Sequence, residues 1–578
     1  MSFTDWKNRL FGNSSKGARL LLLFFGLFTA LGQMLGRILF ILGERTGVPL
    51  SSLVPASAAV GFLFFFLAVF AVALFGRLLQ TLFVQVPEGT QRRQFGPRQL
   101  HLILMVSWLP CYIAYYPAIY SYDAEPQLFQ YTGAGFDDHH PLFHTLTLGL
   151  AYDLGQWLNA RGIPIDGMAL HSFFQMLVLS FAFVRLVMFM TSLGLTKRGR
   201  LLLMLWLALF PPHPLMAVST TKDTYFTAFL ILLTVSLARL LLSKEDDTPL
   251  SAKQLLPFVY AALFLMLFRK NGFYMMLVLL AVLLIAFLRH RKCALYRMLF
   301  LATALSLALF LSVNEILFAA LDAKKGEAAE ALNLPLQQIA RTYAGRREAL
   351  AATGELEEML VYENEEGLRG YRPYISDAVK LGFQNDAFAE DPAGFAALWA
   401  KLFFRYPRSY LFALLYHTMG AWYPLDVSHT LVYRDWWRNR TGYFITNATP
   451  VFAERFVKEE NLLPPVRRLY ELFATDCVQL KFVPLQLLFS PFLYLTGTFF
   501  LCLYLLIRKR RRAALSLCPL FVNLLIVLAG PCIIARYFYP FIALFPLLIG
   551  LACSPHVTET VPLSFRSVPD AQICKECL

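Results

Sequence analysis

The chain has 578 residues, 57% of them hydrophobic and 16% charged, with a net charge of +14 and a mean hydropathy of +0.54. A soluble chain carries about 25% charged residues, so a water-soluble multidomain protein is excluded. The excess of Lys and Arg fits the cytoplasmic loops and headgroup contacts of a polytopic membrane protein. No basic, aromatic-interleaved domain stands apart from the apolar blocks, which excludes nucleic-acid binding.

Taken in chain order, apolar stretches fall near 18–43, 53–76, 100–120, 166–193, 200–219, 224–243, 255–268, 273–289, 297–319, 482–507, 514–533 and 537–553. They predict an all-α polytopic membrane protein with about twelve transmembrane helices. Lys7, Arg9, Lys16 and Arg19 precede the first stretch. No small-residue cleavage site follows it, so an anchor is expected there rather than a removed signal peptide. Counting onward, Arg92, Arg93 and Arg98, then Lys197, Arg198 and Arg200, then Arg289, Arg291 and Lys292, and finally Arg508 to Arg512 all fall on the same side as the N-terminus. The positive-inside rule puts that side, and both termini, in the cytoplasm.

Leu142, Leu146, Leu150, Leu154 and Leu158 recur every fourth residue in a stretch that also holds His144, Thr147 and Asp153. A span there would move the next basic cluster to the wrong side, so a helix lying at the outer membrane surface is expected. The segment from Tyr410 to Trp422, between Pro407 and Pro424, is too short to span and is expected along the same interface. Residues 320–480 form the one large polar region, with helices expected over Gly326 to Ala351 and Asp391 to Arg405 and a turn at Tyr371 to Tyr374. The chain thus divides into 1–99 (cytoplasmic segment and two accessory helices), 100–319 (membrane core with an outer loop), 320–480 (extracytoplasmic region), 481–553 (C-terminal spans) and 554–578 (cytoplasmic tail). Nine cysteines are too scattered for a disulfide framework, and the single Cys574-x-x-Cys577 pair reads as two ordinary tail thiols.

Short outer loops should be poor in basic residues, yet Lys222-Asp223, Arg269-Lys270-Asn271 and Arg536 all stand at outer helix ends. One such residue can snorkel to headgroups; several on one face point to a shared polar site. The outer loop after the third stretch adds Asp123, Glu125, Asp138, His139, His140 and His144. Asp123 and Glu125 suit a catalytic base or a divalent-cation ligand, or else a cap on the following helix. The Asp138-His139-His140 run and His144 have metal-ligand composition without a strong metal spacing, and bonding to a sugar or phosphate is the other reading.

With these residues in view, the layout resembles the GT-C superfamily of membrane glycosyltransferases, which take sugars from polyprenyl-phosphate carriers. The resemblance makes the third span the first core helix, Asp123 and Glu125 the acidic pair of the first outer loop, Leu142 to Leu158 the interfacial helix and 320–480 the covering region. Two extra helices precede that core, and the acids are Asp-x-Glu where many relatives have adjacent acids. The chain also looks like an uncharacterised bacterial multi-pass family, through Asp138-His139-His140-Pro141, Arg269-Lys270-Asn271-Gly272 and Pro335-Leu336-Gln337-Gln338-Ile339-Ala340-Arg341.

What the resemblance implies is an inverting glycosyltransferase at the outer face of a bacterial cytoplasmic membrane. Its partners would be a polyprenyl-phosphate-linked sugar, an acceptor hydroxyl and the lipid bilayer. Asp123 and Glu125 are the expected catalytic residues. Asp138, His139, His140, His144, Lys222, Asp223, Arg269, Asn271, Gln337, Gln338, Arg341 and Arg536 are the expected substrate contacts. No cofactor is required, with a divalent cation left open. The rival class is a transporter or a flippase for lipid-linked saccharide, which would need ionisable groups near the bilayer midplane and often shows repeated halves; neither is visible.

Overall fold

A computed structural model describes residues 16–44, 50–83, 95–121, 123–243, 250–432, 442–444, 455–456 and 460–557. Lys7, Arg9, Arg92, Arg93, Cys574 and Cys577 lie outside the described residues. All regular structure among the described residues is helical, beside isolated β-bridges. In chain order the elements that matter are α1 (Lys16–Glu44), α2 (Leu50–Gln80), α3 (Pro97–Ala114), the short α4 (Ala124–Phe129), α5 (Leu142–Asn159), α6 (Gly167–Ser192), α7 (Lys197–Leu209) and α8 (Lys222–Ser243). They are followed by α9 (Ala252–Phe268), α10 (Asn271–Arg289), α11 (Ala294–Leu321), α12 (Asn333–Ala352), α13 (Pro392–Arg405), α14 (Pro407–His417), α15 (Pro491–Ile507), α16 (Cys518–Ala529) and α17 (Ala535–Cys553).

Among the described residues seven helices are long and apolar enough to cross a membrane: α1, α2, α6, α8, α10, α11 and α17. The count is eight if Val483–Phe489 and α15, bent by 62° to each other, form one span. The chain is therefore built as a helical membrane protein, and by length and hydropathy the described helices reach fewer than the expected count of about twelve. Every expected stretch carries helix; several helices stop short. The 13 residues of α7 reach only ~20 Å against a hydrocarbon core of about 30 Å. Prolines cause the breaks. Pro117 follows the end of α3, and Pro211-Pro212 ends α7, since the residue before a proline is driven out of the helical region.

The two broken ends then meet. Ile119 pairs with the 218–220 segment, its N–H donating to Val218 O and its carbonyl accepting from Thr220 N, both at 3.0 Å, in a parallel bridge to Ser219. Both pieces of chain run in one direction from there, so the next charged residues of each, Asp123 and Lys222, arrive side by side.

The bundle has two distinct ends. At one, Arg510 Nη1 donates to Leu551 O and Ala552 O at 2.7 Å, and Arg512 Nη1 reaches Leu241 O at 3.5 Å. These cations cap the C-termini of α17 and α8, where the helix dipole favours positive charge. The N-termini of the same two helices lie at the other end, about 30 Å away along α8.

Residues 320–432, the outer region by the side expected for them, gather on that second end around a core of their own, with Leu336, Ile339, Phe395, Leu398 and Leu402 buried together. They are fastened to the bundle by Ser376 N donating to Pro531 O at 3.0 Å and by an Ile375–Cys532 bridge. α12 starts later than the expected Gly326, because 324–326 is occupied elsewhere: Lys324 pairs with Phe136 and Asp138, and Gly326 N donates to the Asp138 carboxylate. α13 and the turn at Arg372–Ile375 form where expected. α5 also forms, with Leu150 and Leu154 exposed while His144, Thr145 and Leu148 face the protein.

Candidate functional site

The site is built on the crossing of 119 and 219. Asp123 occupies the N-cap position of α4, with a helical backbone and no capping bond from its side chain. The capping reading is therefore corrected. Its carboxylate instead accepts from the Lys222 ammonium, at short range, and from Arg536 Nη1 at 2.8 Å. His140 completes the ring: Lys222 Nζ donates to its Nδ1 at 3.2 Å, and Nδ1 stands 3.9 Å from Asp123. All four side chains are buried.

A second carboxylate lies one residue along α8. Asp223 is fully buried, accepts from the Thr221 hydroxyl at 2.7 Å and from Arg269 Nη1, and has Arg536 Nη1 3.9 Å from its other oxygen. Arg269 and Arg536 share the ring of Tyr537, with guanidinium carbons 4.7 and 4.6 Å from its centroid. Arg536 also donates to the Tyr537 hydroxyl at 2.8 Å. Residues far apart in sequence thus converge on one spot, and the two carboxylates are Asp123 and Asp223 rather than Asp123 and Glu125. α4 begins directly after Asp123, so Glu125 sits on its first turn, half-buried and outside the ion pairs of Asp123. Residues two apart on a helix point in different directions.

Among the described residues three cations, Lys222, Arg269 and Arg536, face two carboxylates, next to the N-terminal turns of α8 and α17, whose helix dipoles add to the positive potential. Burial pushes the Asp123 carboxyl up, but Arg536, then Lys222 and His140, overcome it and hold the group well below the usual carboxylate range. Burial, with Lys222 next, pushes His140 well below its ordinary value, so the imidazole is neutral. That agrees with its Nδ1 accepting from Lys222.

The remaining expected contacts fall elsewhere. Asp138 pairs with Lys270 at 3.0 Å and holds Gly326 N, so it joins the outer loop to the outer region. His139 is exposed, 3.7 Å from Glu330. Asn271 opens α10. His144 bonds Gln127 at 3.0 Å and packs against His171, Tyr225 and Phe268 in an aromatic pocket.

Gln337 donates to Arg372 O at 2.8 Å, Gln338 accepts from Trp399 Nε1 at 2.9 Å, and Arg341 donates to the Tyr371 hydroxyl at 2.9 Å. These bonds lie within the outer region, and none links the three to Asp123. Among the described residues no three His, Cys, Asp or Glu side chains gather to hold a metal ion. Tyr537 and Thr221 were not expected in the site; the only signals were an aromatic beside Arg536 and a Thr two residues before Asp223.

The profile of a family of unknown function (DUF6020) matches residues 126–555. The chain belongs to this family. The DUF6020 match takes in Lys222, Asp223, Arg269, Arg536 and the whole outer region, while Asp123 lies just before it. Neither the curated proteins nor the solved structures give a match.

Proposed function

We propose that this DUF6020 protein is a glycosyltransferase that moves a sugar from a polyprenyl-phosphate carrier to an acceptor hydroxyl, at the outer face of a bacterial cytoplasmic membrane. The observation that carries the reading is the Asp123 carboxylate, withheld from capping its helix and set against Lys222 and Arg536. A basic group alone would suit any anionic lipid. A carboxylate among cations suits a reaction in which a proton is taken and a phosphate departs. Arg510 and Arg512 at the far ends of α17 and α8 support this sidedness under the positive-inside rule.

In this reading the acceptor oxygen attacks the anomeric carbon as the bond from that carbon to the phosphate oxygen breaks, and the bonding pair leaves with the lipid phosphate. The acceptor proton passes to Asp123. At rest Asp123 is a poor base, because two cations hold its proton affinity down. An incoming phosphate competes for Lys222 and Arg536, and each contact it takes from Asp123 returns basicity to the carboxylate. The guanidinium groups of Arg269 and Arg536, stacked on Tyr537, are suited to planar, bidentate phosphate contacts.

The test is transfer by purified protein supplied with radiolabelled polyprenyl-phosphate sugar. Asp123→Asn should lower transfer ~100-fold or more and leave carrier binding intact. Translocation of the carrier across a vesicle with no chemistry would establish the flippase instead. Normal transfer by Asp123→Asn would remove Asp123 as the base.

A further inference from the structure

The outer region carries an apolar face that its own core does not use. α13 and α14 are consecutive and meet at Tyr406-Pro407. Their inner faces are packed: Phe395, Leu398, Leu402, Tyr410 and Ala413 are buried. On the other side of the elbow Phe404 is 80% exposed, Leu411 54%, Phe403 42% and Leu414 37%. Large apolar side chains clustered in this way outside the spanning helices call for a partner. Lys401, Arg405 and Arg408 are exposed on the same two helices. Lys401 and Arg405 are paired with Glu358 and Glu355.

The position of the elbow identifies the partner. The Tyr416 hydroxyl, at the end of α14, donates to Leu39 O at 2.8 Å, and its ring lies 3.3 Å from where a side chain at Gly43 would begin. Leu39 belongs to the spanning helix α1 and stands roughly 8 Å from its end at Glu44. α1 starts at the Arg508–Arg512 end, where Gly17 packs on Ile507, so Leu39 is near the opposite membrane surface. Leu411 and Leu414 precede Tyr416 by no more than about 8 Å along α14. Leu411 and Leu414 are therefore near the depth of the headgroup and acyl boundary. Phe403 and Phe404 precede them by a few residues across the Tyr406-Pro407 junction. Amphipathic helices of this kind, with basic residues and exposed Phe and Leu, settle at that depth.

We propose that the α13–α14 elbow is a bilayer-docking surface, with Phe403, Phe404, Leu411 and Leu414 entering the acyl boundary and Arg408 meeting lipid phosphate. It ties the outer region to the same leaflet that the ion cluster faces, and it stands whether or not the transferase reading does.

The test uses the full chain in nanodiscs of phosphatidylcholine and phosphatidylglycerol, with photoreactive p-benzoylphenylalanine in place of Phe404 or Leu411 and, as a control, of the exposed Glu357. Illumination should add the mass of one phospholipid at 404 and at 411 and none at 357. Cross-linked pairs of chains through 404 or 411 would make the elbow a contact between copies and overturn the proposal. Absence of lipid adducts at both positions would overturn it as well. Circular dichroism and gel filtration of each labelled chain confirm that the readout comes from folded protein.

Discussion

Two polar assemblies lie at the same end of this bundle, and they are put together differently. Around Asp123 the partners come from 99 and 413 residues away, all are ionised or next to an ion, and among the described residues the cations outnumber the carboxylates. Around α12 the partners of Gln337, Gln338 and Arg341 are 35, 61 and 30 residues away and belong to the same outer region. In the first assembly buried charge is concentrated where it costs most. In the second, the Gln337 amide N–H, the Gln338 carbonyl and one half-exposed guanidinium each meet a neutral partner, a backbone carbonyl, an indole and a phenol, as groups held by packing do. The contrast separates a cluster of buried charge from groups held by packing, although both looked alike as polar residues at the expected outer face.

The largest effect expected from this difference is at Arg536, which Asp123 and Asp223 share. Removing one partner of a buried ion pair typically costs about 3–5 kcal/mol, so Arg536→Ala should lower thermal stability in detergent by an amount of that order. Arg536→Lys keeps the charge but loses the planar fork, and should recover part of the stability and little phosphate affinity. A loss under about 1 kcal/mol for Arg536→Ala would mark a solvated surface pair and erase the contrast.

Glu363 lies in the outer region and breaks its pattern. Its carboxyl is buried, has no hydrogen-bond partner among the described residues, and is raised by burial from 4.5 to about 8. Between those two values the folded chain keeps a proton that the unfolded chain has shed. The stability contributed is full below about 4.5 and falls as pH rises toward 8, by at most roughly 1.4 kcal/mol per pH unit. Melting measured from pH 5 to pH 8 should show that slope, and Glu363→Gln should flatten it and raise stability at pH 8. An unchanged slope would assign the titration to another group.

Much of the ion cluster was legible because membranes penalise charge: Lys222, Asp223, Arg269 and Arg536 stood out as charges at outer helix ends. What brings them together was not. The pairing of 119 with 219 is a few backbone bonds between two extended pieces, and nothing in their composition specifies a partner. The end of α7 was hidden for a related reason, since apolar sequence continues through Pro211-Pro212 while the helix does not. Glu125 was attached to Asp123 by spacing alone, and the start of α4 at residue 124 separates them. Gln337, Gln338 and Arg341 read as available hydrogen-bonding groups because the separate core that occupies them is assembled from many short helices between Ala329 and Tyr410, whose packing no local pattern specifies.

The smallest effect expected is at Arg341, and it tests the packing half of the comparison. Its guanidinium lies 4.9 Å from the Tyr416 ring, 5.6 Å from that of Phe412 and 5.7 Å from that of Tyr371, whose hydroxyl it also bonds. Cation–π contacts at partly exposed positions are worth about 0.5–1 kcal/mol, and the side chain is half-buried, so Arg341→Ala should cost on the order of 1 kcal/mol. Because Tyr416 anchors the outer region to Leu39, that loss should appear as faster hydrogen exchange around α14. Phosphate affinity at the ion cluster should stay at the level of the unaltered chain, since none of Arg341's described bonds reaches it. A drop in phosphate affinity comparable to that of Arg269→Ala, with exchange unchanged, would move Arg341 from the framework of residues 320–432 into the ion cluster itself.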